Sequence, residues 1–157
     1  MNPSVGELAP IFTLFSDEKK PWVLTDQRGK HVVLIFFPAA FSGTCTTELN
    51  TINNNLARLQ DLNAVVVGIS TDTPYCLAEF RAAQMLNFHL LSDHDAKVCA
   101  MYGAKHNRDF AMGLDRIAKR AVFVLNTDGI IVHKEVLDNP GNEPDYEALA
   151  IALEKLQ

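Results

Sequence analysis

A mixed α/β architecture, one central β-sheet with helices on both faces, is expected from three patterns in the chain. Two short runs, His31-Val-Val-Leu-Ile-Phe-Phe37 and Ala64-Val-Val-Val-Gly-Ile-Ser70, are apolar almost without interruption, as strands buried on both faces are. Apolar residues recur every three or four positions after the first run, which marks a helix with one buried face. Between Arg120 and Val136 two further apolar runs flank Thr127-Asp128-Gly129, the composition of a hairpin turn. Parallel strands joined by helices are thus followed by antiparallel ones.

In chain order, Phe12-Thr-Leu-Phe15 and Trp22-Val-Leu24 flank a polar Ser-Asp-Glu-Lys-Lys segment and form an accessory N-terminal hairpin. After the first buried strand a helix starts at Thr44, with Leu49, Ile52, Leu56, Leu59 and Leu62 on its inner face and Asn53, Asn54 and Asn55 on a solvated one. Thr73-Pro74 opens a second helix, proline being tolerated in the first turn, and it runs to about Leu86. Phe88 to Leu91 is a short strand, and Asp95 to Tyr102 a short helix ended by Gly103. Beyond the hairpin, Asp138-Asn-Pro-Gly-Asn-Glu-Pro144 is loop chemistry, and Tyr146 to Leu156 closes the chain as an amphipathic helix. A chain of 157 residues with 48% hydrophobic content buries one substantial core, so 1–157 is expected to be a single domain.

Charge and cysteine content remove several classes of function. Lys plus Arg number 14 against 19 Asp plus Glu, a net charge of -5, and no basic run offers a patch to nucleic acid. The start Met-Asn-Pro-Ser-Val-Gly-Glu has no basic segment followed by an apolar one, and no apolar stretch approaches the roughly 20 residues that span a bilayer, so no membrane partner and a cytoplasmic location are expected. Cys45, Cys76 and Cys99 fit neither an even disulfide framework nor a paired zinc arrangement. Among the histidines, His89 and His94 with Asp93 and Asp95 come nearest to a ligand set. Polar residues after a short strand serve a following helix more simply, so no metal and no cofactor are expected.

The stretch Phe36-Phe-Pro-Ala-Ala-Phe-Ser-Gly-Thr-Cys-Thr-Thr-Glu48 places Cys45 where a buried strand gives way to a helix. Free N–H groups and the macrodipole of a helix start favour negative charge, and the thiolate is the reactive form of a cysteine. Pro38 stiffens the turn, Ser42 supplies a hydroxyl, and the backbone N–H groups around Thr44 and Cys45 are further donors. Glu48 follows Cys45 by one helical turn and reads either as a pocket residue or as a solvated acid in the first turn.

Pro38-x-x-x-Ser42-x-x-Cys45 resembles the Pro-x-x-x-Thr/Ser-x-x-Cys signature of the peroxiredoxins, and Arg120-x-x-Phe-Val-Leu-Asn-x-Asp-Gly-Ile130 resembles their later arginine-bearing hairpin. The likeness extends from Val5-Gly-x-x-Ala-Pro-x-Phe-Thr-Leu14 through Leu90-Leu-Ser-Asp93 and Tyr102-Gly103. Phe-Phe-Pro-x-Ala-Phe before the cysteine is most similar to the one-cysteine alkyl hydroperoxide reductase E type. The resemblance implies a thioredoxin-like fold, reduction of hydrogen peroxide and organic hydroperoxides by the Cys45 thiolate, and a homodimer. It also implies that Pro38 shields the sulfur and that Arg120 joins Ser42 in binding the peroxide, with Arg116 as the alternative arginine.

Attack on a peroxide leaves a sulfenic acid, which another thiol must reduce. No cysteine follows Cys99, and Asn50 occupies the position five residues after Cys45 where some relatives carry a resolving thiol. The expected reductant is therefore external: thioredoxin, a glutaredoxin-like protein or a low-molecular-weight thiol. The alternatives are resolution through Cys76 or Cys99, which needs local helix melting, and a redox sensor or chaperone without fast turnover. A disulfide reductase of the thioredoxin type needs a second cysteine where Cys45-Thr-Thr-Glu48 has none.

Overall fold

Strand formation follows the apolar pattern closely. In the computed structural model, which describes residues 2–157, the accessory hairpin is β1 (Thr13–Ser16) with β2 (Pro21–Val23), and the two buried runs are β3 (His31–Phe36) and β4 (Ala64–Ser70). The later strands are β5 (His89–Ser92), β6 (Arg120–Leu125) and β7 (Ile131–Leu137). All seven join one sheet in the order β2-β1-β5-β4-β3-β6-β7. The neighbours β3/β4 and β4/β5 are parallel and the remaining pairs antiparallel. At the hairpin, Asn126 Oδ1 accepts the N–H groups of Asp128 and Ile130 at 3.0 Å each, and Gly129 takes the left-handed φ of 83° that the turn requires.

Period-two alternation along the central strand divides the core. Val32, Leu34 and Phe36 point into one apolar cluster, with Phe12, Tyr102 and Phe123, while Val33, Ile35 and Phe37 point into the other, with Leu49, Leu77, Phe80 and Leu149. The second face is covered by α1 (Gly43–Asn54), α2 (Leu56–Asp61), α3 (Pro74–Gln84) and α5 (Tyr146–Glu154), and the first by α4 (Lys97–Met101) and the N-terminal segment. Cys45 belongs to the second cluster and Cys99 to the first, so the sheet lies between them.

Three expectations are corrected. The helix after β3 does not run unbroken to Leu62. It stops at Asn55, whose φ and ψ of −107° and 8° leave the helical region, and α2 restarts beyond it. The three asparagines are not merely a solvated face: Asn53 accepts the N–H of Asn87 at 2.8 Å and donates to the Met85 carbonyl at 3.2 Å, fastening α1 to the turn after α3. The short helix α4 begins at Lys97 rather than Asp95, because Ala96 is left-handed (φ 61°). Asp93 accepts the N–H groups of Val98 and Cys99 at 3.0 and 2.8 Å, so its carboxylate serves the helix start. Among the described residues no helix is long and apolar enough to cross a membrane.

Candidate active site

The site forms where β3 ends beside β4 and β6. Phe37 N–H still bonds the Ile69 carbonyl at 2.9 Å, but Pro38, which is buried, has no N–H to give, and the chain leaves the sheet there. The departing loop is held by Asp72, just past the end of β4, whose Oδ2 accepts the Ala40 N–H at 2.8 Å and the Ser70 hydroxyl at 2.6 Å. Ser92 fixes Asp72 in turn by donating to its backbone carbonyl at 2.6 Å. Phe41 then adopts a left-handed φ of 68°, a conformation that costs a bulky residue on the order of 1–2 kcal/mol. Its ring packs edge-on against Phe80 on α3 with centroids 4.9 Å apart, which helps offset that cost.

Ser42 is the N-cap of α1. Its carbonyl accepts the N–H and the hydroxyl of Thr46 at 2.9 and 2.8 Å, and its own hydroxyl donates to the Ala39 carbonyl at 3.0 Å. With the first intrahelical bond made by Thr46, the N–H groups of Gly43, Thr44 and Cys45 have no acceptor in the helix. Cys45 is therefore in the first turn, at the positive end of α1, and it is fully buried among Phe37, Leu49 and Leu77.

Arg120, the first residue of β6, arrives from the opposite side. Pairing of Phe36 with Ala121 sets it beside the end of β3. Its Nη1 donates to Cys45 Sγ at 3.3 Å and to Glu48 Oε1 at 2.8 Å, and its Nη2 donates to the Pro140 carbonyl at 2.8 Å. Arg120 is 1% exposed and Glu48 0%, so the reading of Glu48 as a solvated acid is overturned. Burial raises the Glu48 carboxyl to about 7, although Arg120 pulls the other way; Glu143 and Glu135 add to the rise. The second carboxyl oxygen of Glu48 has no hydrogen-bond partner among the described residues, which also disfavours full ionisation. For Arg120, burial alone would lower the pKa, but Glu48 and Cys45 outweigh it and the guanidinium stays charged.

Of the residues singled out in the sequence, the structure brings Cys45, Glu48 and Arg120 together and sets Pro38, Ser42 and Thr44 in the loop and first turn around them. Arg116 is exposed. Cys76 occupies the first turn of α3, where its N–H bonds the Thr73 hydroxyl at 3.3 Å, and burial with the nearby Asp72 carboxylate pushes its thiol pKa up. Cys99 is fully buried, donates its S–H to the Ala96 carbonyl at 3.3 Å, and has its pKa pushed far up by burial and Asp93. Asn50 joins α1 to α3 through Gln84 Oε1 at 2.9 Å. Two contributors were not foreseen, Asp72 and the Pro140 carbonyl. The position of Asp72 just past a buried parallel strand is the one available signal, since ligand sites in such sheets gather at the carboxyl ends of strands.

A model of the AhpC/TSA family matches residues 5–134. The chain belongs to that family. It is similar to a putative peroxiredoxin Bcp of Haemophilus influenzae, 39% identical over 84% of this chain and 86% of the relative. It also resembles peroxiredoxin Bcp of Escherichia coli, 35% identical over 85% and 86%. Among solved structures, the peroxidoxin BcpB of Mycobacterium tuberculosis superposes with a TM-score of 0.86 at 25% identity, covering 99% of both chains. A PrxQ variant of Xylella fastidiosa superposes equally well, with a TM-score of 0.86, at 22% identity over 99% and 98%, and shows the fold. The protein is thus a peroxiredoxin of thioredoxin-like fold, a thiol-dependent peroxidase whose substrates are hydroperoxides and whose reductant is a thiol.

Proposed function

We propose that Cys45 is the peroxide-attacking nucleophile and that the whole chain, 1–157, acts as one peroxidase domain on hydrogen peroxide and organic hydroperoxides. One observation carries the reading: a buried guanidinium donates to the Cys45 sulfur at 3.3 Å, in the first turn of a helix whose N–H groups are open. Both features favour negative charge on sulfur. In the reaction the thiolate attacks one peroxide oxygen, and the S–O bond forms as the O–O bond breaks. Sulfur is oxidised to sulfenic acid, and the departing oxygen leaves as hydroxide or alkoxide and takes up a proton. Lower thiol basicity also lowers nucleophilicity, so donors aimed at the two oxygens must stabilise the transition state. Arg120, the first-turn N–H groups of α1 and the Ser42 hydroxyl are those donors. Ser42 exchanges its bond to Ala39 for one to the peroxide.

An external thiol then attacks the sulfenic sulfur, releasing water and leaving a mixed disulfide, and a second thiol frees Cys45. Cys99 is on the far side of the sheet, and burial with the Asp72 carboxylate pushes the Cys76 thiol pKa up, so one-cysteine behaviour is favoured over internal resolution. Thioredoxin, a glutaredoxin-like protein or a low-molecular-weight thiol is the proposed reductant. The three unpaired thiols suit a reducing, cytoplasmic setting, and the exposed Phe15, Phe41, Tyr75 and Met112 suit burial in a homodimer. Stopped-flow oxidation tests the core of the reading: Cys45 should react orders of magnitude faster than free cysteine, and a rate near that of the free thiol would overturn it.

A further inference from the structure

Arg120 is held from two sides, and only one of them belongs to the thiol. Nη1 is shared by Cys45 and Glu48 on α1, whereas Nη2 bonds the Pro140 carbonyl in the loop between β7 and α5. The remaining nitrogen, Nε, has no hydrogen-bond partner among the described residues. A planar guanidinium with its two terminal nitrogens fixed has its plane fixed as well. Without the carbonyl, the group can turn about its last bond and carry Nη1 away from the sulfur.

The loop that presents this carbonyl is built to stay in place. Lys119 bonds Asp138 at 2.7 Å at its start, and Asn139 accepts the Gly141 N–H on its side chain at 2.9 Å and the Asn142 N–H on its carbonyl at 3.1 Å. At its end Glu135, on β7, accepts the Asp145 N–H at 2.8 Å, and the Tyr146 hydroxyl donates to Glu143 at 2.5 Å. Pro140 and Pro144 fix two φ angles, and Pro144 is buried. The Tyr146 ring packs on the same apolar cluster that contains Cys45, so its bond to Glu143 ties the loop to the floor of the site.

We propose that the Asp138–Asp145 loop is a positioning strap of the active site, in which Tyr146 and Glu143 hold the Pro140 carbonyl against Arg120 and so aim the guanidinium at Cys45. None of these groups touches the sulfur; they act through Arg120, and the inference rests on the assignment of Cys45 and Arg120 above. Supporting it, burial is the main influence on the Glu48 carboxyl and Arg120 opposes it, while Glu143 in the strap and Glu135 on β7 add smaller upward pushes, so the strap also shares in the pH response of the site.

Tyr146→Phe and Glu143→Ala test the proposal through the rate of Cys45 oxidation by hydrogen peroxide, followed by stopped flow across the pH range around neutrality, with thermal unfolding measured in parallel. Tyr146→Phe should slow oxidation roughly three- to tenfold, the range that follows from losing one hydrogen bond. Glu143→Ala, which removes the acceptor of the Tyr146 hydroxyl, should slow it similarly and move the inflection of the pH profile to lower pH, because one of the carboxylates that raise Glu48 is gone. A purely structural role would shift the melting temperature and leave the profile in place. If wild-type Cys45 reacts no faster than free cysteine, the nucleophile assignment fails and the strap with it. If the wild type is fast and both variants match it in rate and profile, the strap alone is refuted. Should Tyr146→Phe fold poorly, Glu143→Ala, a change at an exposed side chain, decides the matter alone.

Discussion

One guanidinium serves three acceptors at this site, and that sets how replacements of Arg120 behave. Lysine keeps the charge but offers a single compact ammonium, which cannot reach Cys45, Glu48 and Pro140 together. Arg120→Lys should therefore slow Cys45 oxidation by about 100-fold or more, as loss of a preorganised donor does, and Arg120→Ala further; stopped-flow rates within twofold of wild type would show that another group performs the task. Glu48 supplies the pH dependence. Its carboxyl titrates near 7 in the fold against an ordinary 4.5, chiefly through burial. The folded state therefore favours the protonated form, and this contribution to stability is fully present below about 4.5 and lost as pH rises through about 7. Glu48→Gln, neutral throughout, should remove that decline in thermal melts and flatten the matching inflection in the oxidation profile; an unchanged pair of profiles would place the titration elsewhere. As candidates, Cys45 and Arg120 stood out in the sequence because a short motif carries each. The burial of Glu48 was not legible there, since it depends on an arginine 72 residues downstream that no local pattern connects to it.

At the level of elements, the decisive junction is the loop between β3 and α1. The apolar runs and the proline announced where β3 stops and α1 begins, but not what keeps the loop there. Asp72 does so by accepting the Ala40 N–H 32 residues earlier in the chain, a bond that exists only because β3 and β4 are parallel neighbours. Asp72→Ala would leave that N–H and the Ser70 hydroxyl without their acceptor, at a cost on the order of 1–3 kcal/mol. Urea denaturation should show the loss and peroxide oxidation should slow with it, while Asp72→Asn, which keeps a carbonyl oxygen, should recover part of both. Full stability in the alanine variant would mean that the strained Phe41 and its contact with Phe80 hold the loop unaided. The broken helix teaches the same lesson. The apolar spacing from Leu49 to Leu62 fits one continuous helix, and beside the interruption at Asn55 lie the tertiary bonds of Asn53 to Met85 and Asn87, which no local pattern announces.

At the scale of the molecule, the sheet decides which thiol could meet a sulfenic acid formed on Cys45 as proposed. Strand alternation, readable in the sequence, settles that β3 feeds two separate cores, but the face each helix covers follows from the topology of the connections. Cys45 and Cys99 end on opposite faces, so a bond between them would require the sheet or α4 to open, whereas Cys76 on α3 shares the face of Cys45. Internal resolution, if it occurs, must therefore use Cys76, and its thiol, raised by burial and Asp72, is a poor attacking group at neutral pH. Intact mass after one equivalent of peroxide distinguishes the routes: a gain of one oxygen is expected for the wild type, and the same gain for Cys76→Ser and Cys99→Ser. Loss of two hydrogens, abolished by Cys76→Ser alone, would instead identify an internal disulfide and require the start of α3 to unwind during each turnover. Loss abolished by Cys99→Ser would contradict the separation imposed by the sheet, because the sheet or α4 would have to open for those two sulfurs to meet.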